Sequence, residues 1–449
     1  MATTTENLIA KQTEPQLRQF ERFENQPKQP GWVFPLRKAG ISRFAELGFP
    51  TLKDEDWRFT NVAPIATSPF KPVFEPRTND LNRDSLARLA FGALPSTRLV
   101  FVDGHFAPGL SSASPSGIKA GSLAAALQTQ SDFLQRHLGR YAQGEDNAFT
   151  ALNTAFFLDG AFIHIPAGKV VEQPIHIIYV GSGEETGAAI NPRNLIIAEK
   201  NSQVTILESY FSLGEAPYFT NAVTELVSED NAIVEHCKFQ DESPSAFHMA
   251  AIHARMARGC QVTAHSIATG ARLSRNNIRT CLAGEGVECV LNGLYVTKGE
   301  QLADHHMIVE HAQPHCNSHE YYNGILDNRS KGVFHGRILV RQLAQKTDAK
   351  QTNKNLLLSD EATADTKPQL EIYADDVKCT HGATVGQLNE ESIFYLRSRG
   401  LGAETARRML IHAFAGEIIE RIRCQPIREE LDQLIWERLE ANPLVAAGA

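Results

Sequence analysis

Asp230-Asn231-Ala232-Ile233-Val234-Glu235-His236 decides how the middle of this chain is read: a turn-forming pair, then a short run of β-branched and apolar residues. Asn201-Ser202 leads into Val204–Leu207 in the same way, and Gly284-Glu285-Gly286 leads into Val287–Leu291. Val204, Val234, Val262, Val287, Ile308 and Val333 are read as equivalent positions, roughly 21–30 residues apart. Val309-Glu310-His311 echoes Val234-Glu235-His236. Similar runs recur from about Ala161 to Val385, among them Phe162–Ile165, Pro174–Val180, Asn194–Ile197, Gln261–Ala264 and Val333–Val340. No amphipathic helix of ordinary length fits between them, so the helical crossovers of an α/β sheet are missing. Short strands, turn signals and a loose repeat predict a solenoid in which each coil covers the next. The natural form is a parallel β-helix with large apolar residues stacked inside.

The flanks read as helical. Leu17 and Phe20 mark one short amphipathic segment. Leu36, Ile41, Phe44 and Leu47 mark a second, stopped by Gly48 and Pro50. Leu99–Val102, Asp103-Gly104 and His105-Phe106 read as a hairpin, because Asp-Gly favours a tight primed turn. Ser122–Tyr141 has helical apolar spacing. After Gly400 the period returns to 3.6: Ala406, Leu410, Phe414, Ile418 and Ile422 form one stripe, and Pro426 separates it from Leu431, Leu434, Ile435 and Leu439. These two helices are expected to pack on the end of the solenoid as a cap, with Arg407, Arg408 and His412 facing outward. The organisation expected is a helical region at 1–75, a mixed lead-in at 76–160, a β-helix core at 161–400 and a helical region at 401–449.

Composition narrows the function. A net charge of −8 and a pI near 6.1 argue against nucleic acid as a partner, since phosphate binding needs clustered Lys and Arg. No apolar run is long enough for a transmembrane helix, and Met1–Gln12 has neither an apolar nor an Arg-rich targeting pattern. Seven cysteines, an odd number without dense spacing, fit reduced thiols and a cytoplasmic location better than a disulfide framework. There is no Gly-x-x-x-x-Gly-Lys-Ser/Thr loop, no strand-borne Gly-x-Gly-x-x-Gly and no Gly-x-Ser-x-Gly elbow. The chain itself is therefore not expected to hydrolyse ATP, and neither a Rossmann site nor a hydrolase elbow is supported.

Two segments carry metal-ligand side chains. In Lys378-Cys379-Thr380-His381-Gly382 a thiol and an imidazole stand two residues apart, and an extended strand puts both on one face. That pair suits iron or zinc. An iron–sulfur cluster typically takes four protein ligands, so the rest must come from elsewhere in the fold or from a partner chain; the expectation is that a stable cluster needs the second chain and that none is tightly bound by this chain alone. The second segment holds His305, His306, Glu310, His311, His315, Cys316 and His319. Pro314 and Asn317 argue against a continuous helix there, so these side chains are expected to diverge into structural or interface roles.

Leu357-Leu358-Ser359, Ala362–Pro368, Leu370–Asp375, Val377–Gly386 and Phe394–Gly400, with Gly48–Thr51 and Asp54–Asn61 near the N-terminus, together resemble the SufB/SufD family of iron–sulfur assembly subunits. The SufD branch is the nearer pattern: SufB resembles Cys-Glu-His where this chain has Cys379-Thr380-His381-Gly382. The resemblance implies a right-handed parallel β-helix between two helical regions and a non-catalytic scaffold role. It also implies that Cys379 and His381 lie at an interface with SufB, where a transient cluster or iron is shared. SufC, an ATP-binding-cassette ATPase, is implied to dock on the C-terminal helices around Leu401–Leu439. An exposed strand edge near Val377–Val385 would pair with SufB or, in its absence, with a second copy as a homodimer. The alternative from another class is a β-helix enzyme acting on polysaccharide, which the absent secretory signal and the free thiols count against.

Overall fold

Two parallel sheets face each other across a shared interior, and the chain passes from one to the other with nearly every strand. The structure is a computed structural model that describes residues 2–24, 29–75, 81–142, 146–183 and 186–441. The expected boundary at residues 75 and 76 abuts the segment 76–80, which lies outside the described residues.

Sheet one ends with Thr363–Ile372 and runs back through Lys331–Val340, Leu302–His311, Leu273–Leu282, Phe247–Met256 and Tyr218–Ser228. Sheet two ends with Lys378–Gly386 and runs back through Asp348–Leu357, Asn317–Leu326, Glu288–Thr297, Gln261–Ala268, Ile233–Asp241 and Gln203–Ser212. All of these pairings are parallel; among the described residues antiparallel ones occur only near the N-terminal end, where Thr97–Val102 meets His105–Phe106 and Lys119–Ser122 meets Ala161–Ile165. Gln203, Ile233, Gln261, Glu288, Asn317, Asp348 and Lys378 stack, so one coil takes 27 to 31 residues. The architecture is the mainly β solenoid that the repeat predicts.

The phase of the repeat needs correction. Val204, Val234 and Val262 do stack, but Cys289 follows them rather than Val287. Ile308 and Val333 belong to sheet one and do not face each other: Ile308 pairs with Arg279 and Arg337, Val333 with Asp304 and Asp365. A coil holds two strands, so a ladder read as one strand per repeat mixes the two sheets. The turns were the clearer signal. Asn201, Asn231, Gly259, Gly286, His315 and Lys346, two residues before successive stacked strands, all have φ between 55° and 69°. Asn and Gly tolerate that left-handed corner best.

Helices cover the outer faces of the earlier coils. Helix Val33–Leu47 stops at Gly48, whose φ is 65°, as expected. With Ala2–Phe23 and Ala148–Phe156 it builds an aromatic cluster (Phe20, Phe44, Phe149) against Phe219, Phe247 and Leu273 of sheet one. Tyr218–Ser228 is buried along its whole length, the signature of a strand covered on both faces. The Asp103-Gly104 hairpin forms as read, with φ of 47° and 84°. Ser122–Tyr141 forms two short helices, Leu123–Thr129 and Ser131–His137, separated at Gln130.

The C-terminal helices Ala403–Ile419 and Gln425–Ala441 do not cap the solenoid. They lie back along the outer face of sheet two, burying Ile411, Ala415, Ile418, Ile419 and Ile422 against residues such as Leu207, Phe239, Leu294 and Ile325. Each large side chain so buried contributes about 1.5–3 kcal/mol. The expected stripe is rotated: Leu410 and Phe414 are only half-buried. Pro426 sits in the first turn of the last helix, where its missing N–H costs nothing. Arg408 and His412 turn toward that helix instead of outward. Arg408 lies 4.5 Å over the Trp436 ring and 3.1 Å from Glu440, and His412 is 3.0 Å from Asp432. The Glu235 carboxylate pins the joint by accepting the backbone N–H groups of Arg423 at 2.6 Å and Cys424 at 3.0 Å.

Candidate functional site

Because the helices fold back along the side, the last coil is left open. Lys378–Gly386 is the final strand of sheet two and is exposed along nearly all its length, whereas the strands beneath it alternate between buried and exposed positions. Cys379 stacks on Ala349, Ser318 and Cys289; His381 stacks on Gln351, Glu320 and Leu291. Every one of those lower residues is buried. Cys379 and His381 thus share a face, as the two-residue spacing predicts, and that face is the inner one. They are the last rung of the interior, uncovered because no further coil follows. Cys379 is half-buried against the core and His381 is exposed.

The pair is chemically incomplete. Among the described residues, no set of three clustered His, Cys or carboxylate ligand atoms includes Cys379 or His381. Burial, and next the Asp348 carboxylate, push the Cys379 thiol above its ordinary value. The thiolate, the form that binds metal, therefore has to be drawn out by an incoming cation.

Below His381 lies a polar column that sequence reading missed. Glu320 and Gln351 are buried, and neither the Glu320 oxygens nor the Gln351 amide atoms have a hydrogen-bond partner among the described residues. Counting back one coil length from His381 was the only signal that could have found them. Burial pushes the Glu320 carboxyl up to about 8, so it is largely neutral at pH 7. Unfolding ionises it, so its contribution to stability is complete below about pH 4.5 and is lost as pH rises through about 8. Glu320→Gln should remove that slope. Its stability relative to the parent should grow by roughly 3–4 kcal/mol between about pH 5 and pH 8.5, read from thermal melts. A parallel pH dependence in both proteins would contradict it.

The His-rich segment diverges, as expected for strand, turn and strand. His305 and His311 are buried, and His311 shares a hydrogen bond of 2.8 Å with Ser318. His315 occupies the left-handed corner, and His319 lies partly exposed 3.6 Å from Asp348. Another gathering, Glu235, Cys237 and His265, is closed beneath the C-terminal helices, its carboxylate engaged by Arg423 and Cys424. No helix among the described residues is long and apolar enough to cross a membrane.

Comparison with known proteins accounts for nearly the whole chain. Residues 179–414 match the family model for the SUF system FeS cluster assembly SufBD core domain, and residues 26–177 match that for the SufBD protein N-terminal region. A Synechocystis iron–sulfur cluster assembly SufBD family protein is 35% identical over 89% of each chain. The Escherichia coli iron–sulfur cluster assembly protein SufD is 34% identical over 90% of this chain and 93% of its own. Its Bacillus subtilis namesake is 25% identical over 94% and 97%.

Proposed function

Because this chain belongs to the SufBD family of iron–sulfur cluster assembly proteins, we propose that it is the SufD-type, non-catalytic half of a scaffold completed by SufB. The observation that carries this reading is the open last coil, where Cys379 and His381 end the interior with two ligands and an unpaired strand edge. A SufB strand laid on that edge would extend sheet two and bring its own ligands over the pair. The nascent cluster is then cargo held between the chains. Cys379 releases its proton to solvent as the thiolate takes the incoming iron, and His381 binds through whichever nitrogen is unprotonated.

In this reading SufC docks on the C-terminal helices. Phe394 and Tyr395 on helix Glu390–Ser398 and Met409 on the next helix are 73%, 57% and 40% exposed, an apolar set on the surface of the described residues. The following helix pair is keyed to sheet two through Glu235 and Asp241. Glu417 of helix Ala403–Ile419 also reaches Lys354 at 2.7 Å, on the strand directly beneath the ligand pair, so movement of an ATPase on these helices would be felt there.

The test is anaerobic purification of the chain alone and with SufB and SufC, followed by assay of iron, acid-labile sulfide and visible absorption. The isolated chain should hold well under one cluster per molecule and the complex a defined one. Phe394→Asp should shed SufC while retaining SufB. A stoichiometric cluster on the isolated monomer would sink the shared-site reading, and full retention of SufC by Phe394→Asp would move its docking site elsewhere.

A further inference from the structure

On the outer face of sheet one, three residues far apart in sequence aim their lone pairs at one another. His306 and His335 are register partners on adjacent strands, and His306 Nε2 lies 2.5 Å from His335 Nδ1. Asp56 Oδ1 lies 3.8 Å from the first nitrogen and 4.0 Å from the second.

The second nitrogen of each ring identifies its tautomer. His306 Nδ1 is 3.3 Å from Asp304 Oδ1, a carboxylate that can only accept, so this nitrogen carries the hydrogen. His335 Nε2 is 3.5 Å from Gln369 Oε1. The Gln369 amide is oriented by donating from Nε2 to Glu371 Oε1 at 3.0 Å, which leaves its oxygen toward His335 as an acceptor. In these tautomers both rings turn bare nitrogens to each other and to the Asp56 carboxylate. No other donor among the described residues reaches the gap, and a bridging cation, or a proton shared between the rings, resolves the conflict.

The position of Asp56 is fixed from several sides. Its backbone carbonyl accepts from Arg275 Nη1 at 2.8 Å, and the Arg275 guanidinium lies 3.7 Å over the neighbouring Trp57 ring. Glu55 pairs with Lys367 at 2.6 Å. Arg275 itself is neutralised by Asp304 at 2.6 Å, so its charge does not repel a cation at the cluster.

We propose that Asp56, His306 and His335 form a binding site for one borderline divalent cation, such as zinc or ferrous iron. Two imidazoles and a carboxylate are the donor set such ions take. Asp304 and Gln369 act as the outer partners that orient metal-bound histidines. Bond lengths of about 2.0–2.1 Å to a tetrahedral ion need the two nitrogens to open to about 3.3 Å, a small rotation of each ring. The Asp56 side chain is half-exposed, so the remaining position faces water. The bound ion would clip the loop around Asp56 to two coils of the solenoid.

The experiment uses the full chain with Cys379→Ala and His381→Ala, which silences the open end, after chelator treatment under anaerobic conditions. Cobalt(II) serves as a coloured stand-in for zinc, and zinc itself is titrated by calorimetry. One ion per chain should bind with a nitrogen–oxygen cobalt spectrum lacking thiolate charge transfer, and should raise the melting temperature. Asp56→Asn and His335→Gln should each weaken binding at least tenfold, with folding checked by circular dichroism; Asp56 is exposed enough for its variant to fold. Absence of binding at micromolar metal, or binding unchanged in both folded variants, would overturn the site.

Discussion

Replacing His381 by alanine should slow cluster formation in the assembled complex at least about tenfold while leaving the complex intact. Even outer partners of metal ligands cost roughly 10- to 100-fold when removed, and a direct ligand should cost no less. The imidazole is exposed on the last rung, so its loss opens no cavity. Surface changes of this kind usually alter stability by about 0.5 kcal/mol or less. The measurement is the initial rate of cluster absorbance in reconstituted complex, with size-exclusion chromatography confirming its composition. An unchanged rate would remove His381 from the ligand set. Loss of the complex itself would make the residue structural.

Val385→Lys should weaken association with SufB, and self-association in its absence, by about 2–3 kcal/mol, or roughly 30- to 150-fold. Among the described residues Lys378–Gly386 pairs on one side only, with Asp348–Leu357, and its far edge offers backbone groups to an added strand. Natural edges are protected by proline or charge. The neighbouring end strand carries Lys367, Pro368 and Glu371, whereas Cys379–Gly386 has no proline, acid or lysine. Val385 stacks on buried Asn355 and is itself 47% exposed, so a strand added above would enclose it. Thr384 stacks on Lys354 and points outward, so Thr384→Asp should cost less. Sedimentation at matched concentrations reads both. Equal association of both folded variants with the parent would exclude this edge as the interface.

Much of the fold was legible because its signals are local. A glycine at a helix end, an Asp-Gly hairpin and Asn-rich corners each act within a few residues. The strands that sequence reading passed over include polar ones. Asp348–Leu357 reads Asp-Ala-Lys-Gln-Thr-Asn-Lys-Asn-Leu-Leu, and its buried positions include Gln351, Asn353 and Asn355. Asn353 and Asn355 are satisfied inside by Tyr295, the Tyr322 carbonyl and each other. A solenoid interior that accepts amides erases the alternation of apolar and polar residues on which strand recognition depends. The C-terminal stripe was found but rotated, because a period of 3.6 leaves neighbouring faces nearly equal until a packing surface selects one.

The sequence by itself determined that Cys379 and His381 share a face, since strand geometry repeats every two residues whatever surrounds it. It also determined a solenoid, since no helices are available to cross between strands. Only the tertiary structure decided that this face is the interior one, that it ends uncovered, and that Glu320 and Gln351 lie beneath it. Only the tertiary structure brought Asp56 to His306 and His335. Those outcomes depend on coils of 27 to 31 residues falling into register and on where the flanking helices come to rest. Both are set by packing between segments tens to hundreds of residues apart, which no local period encodes.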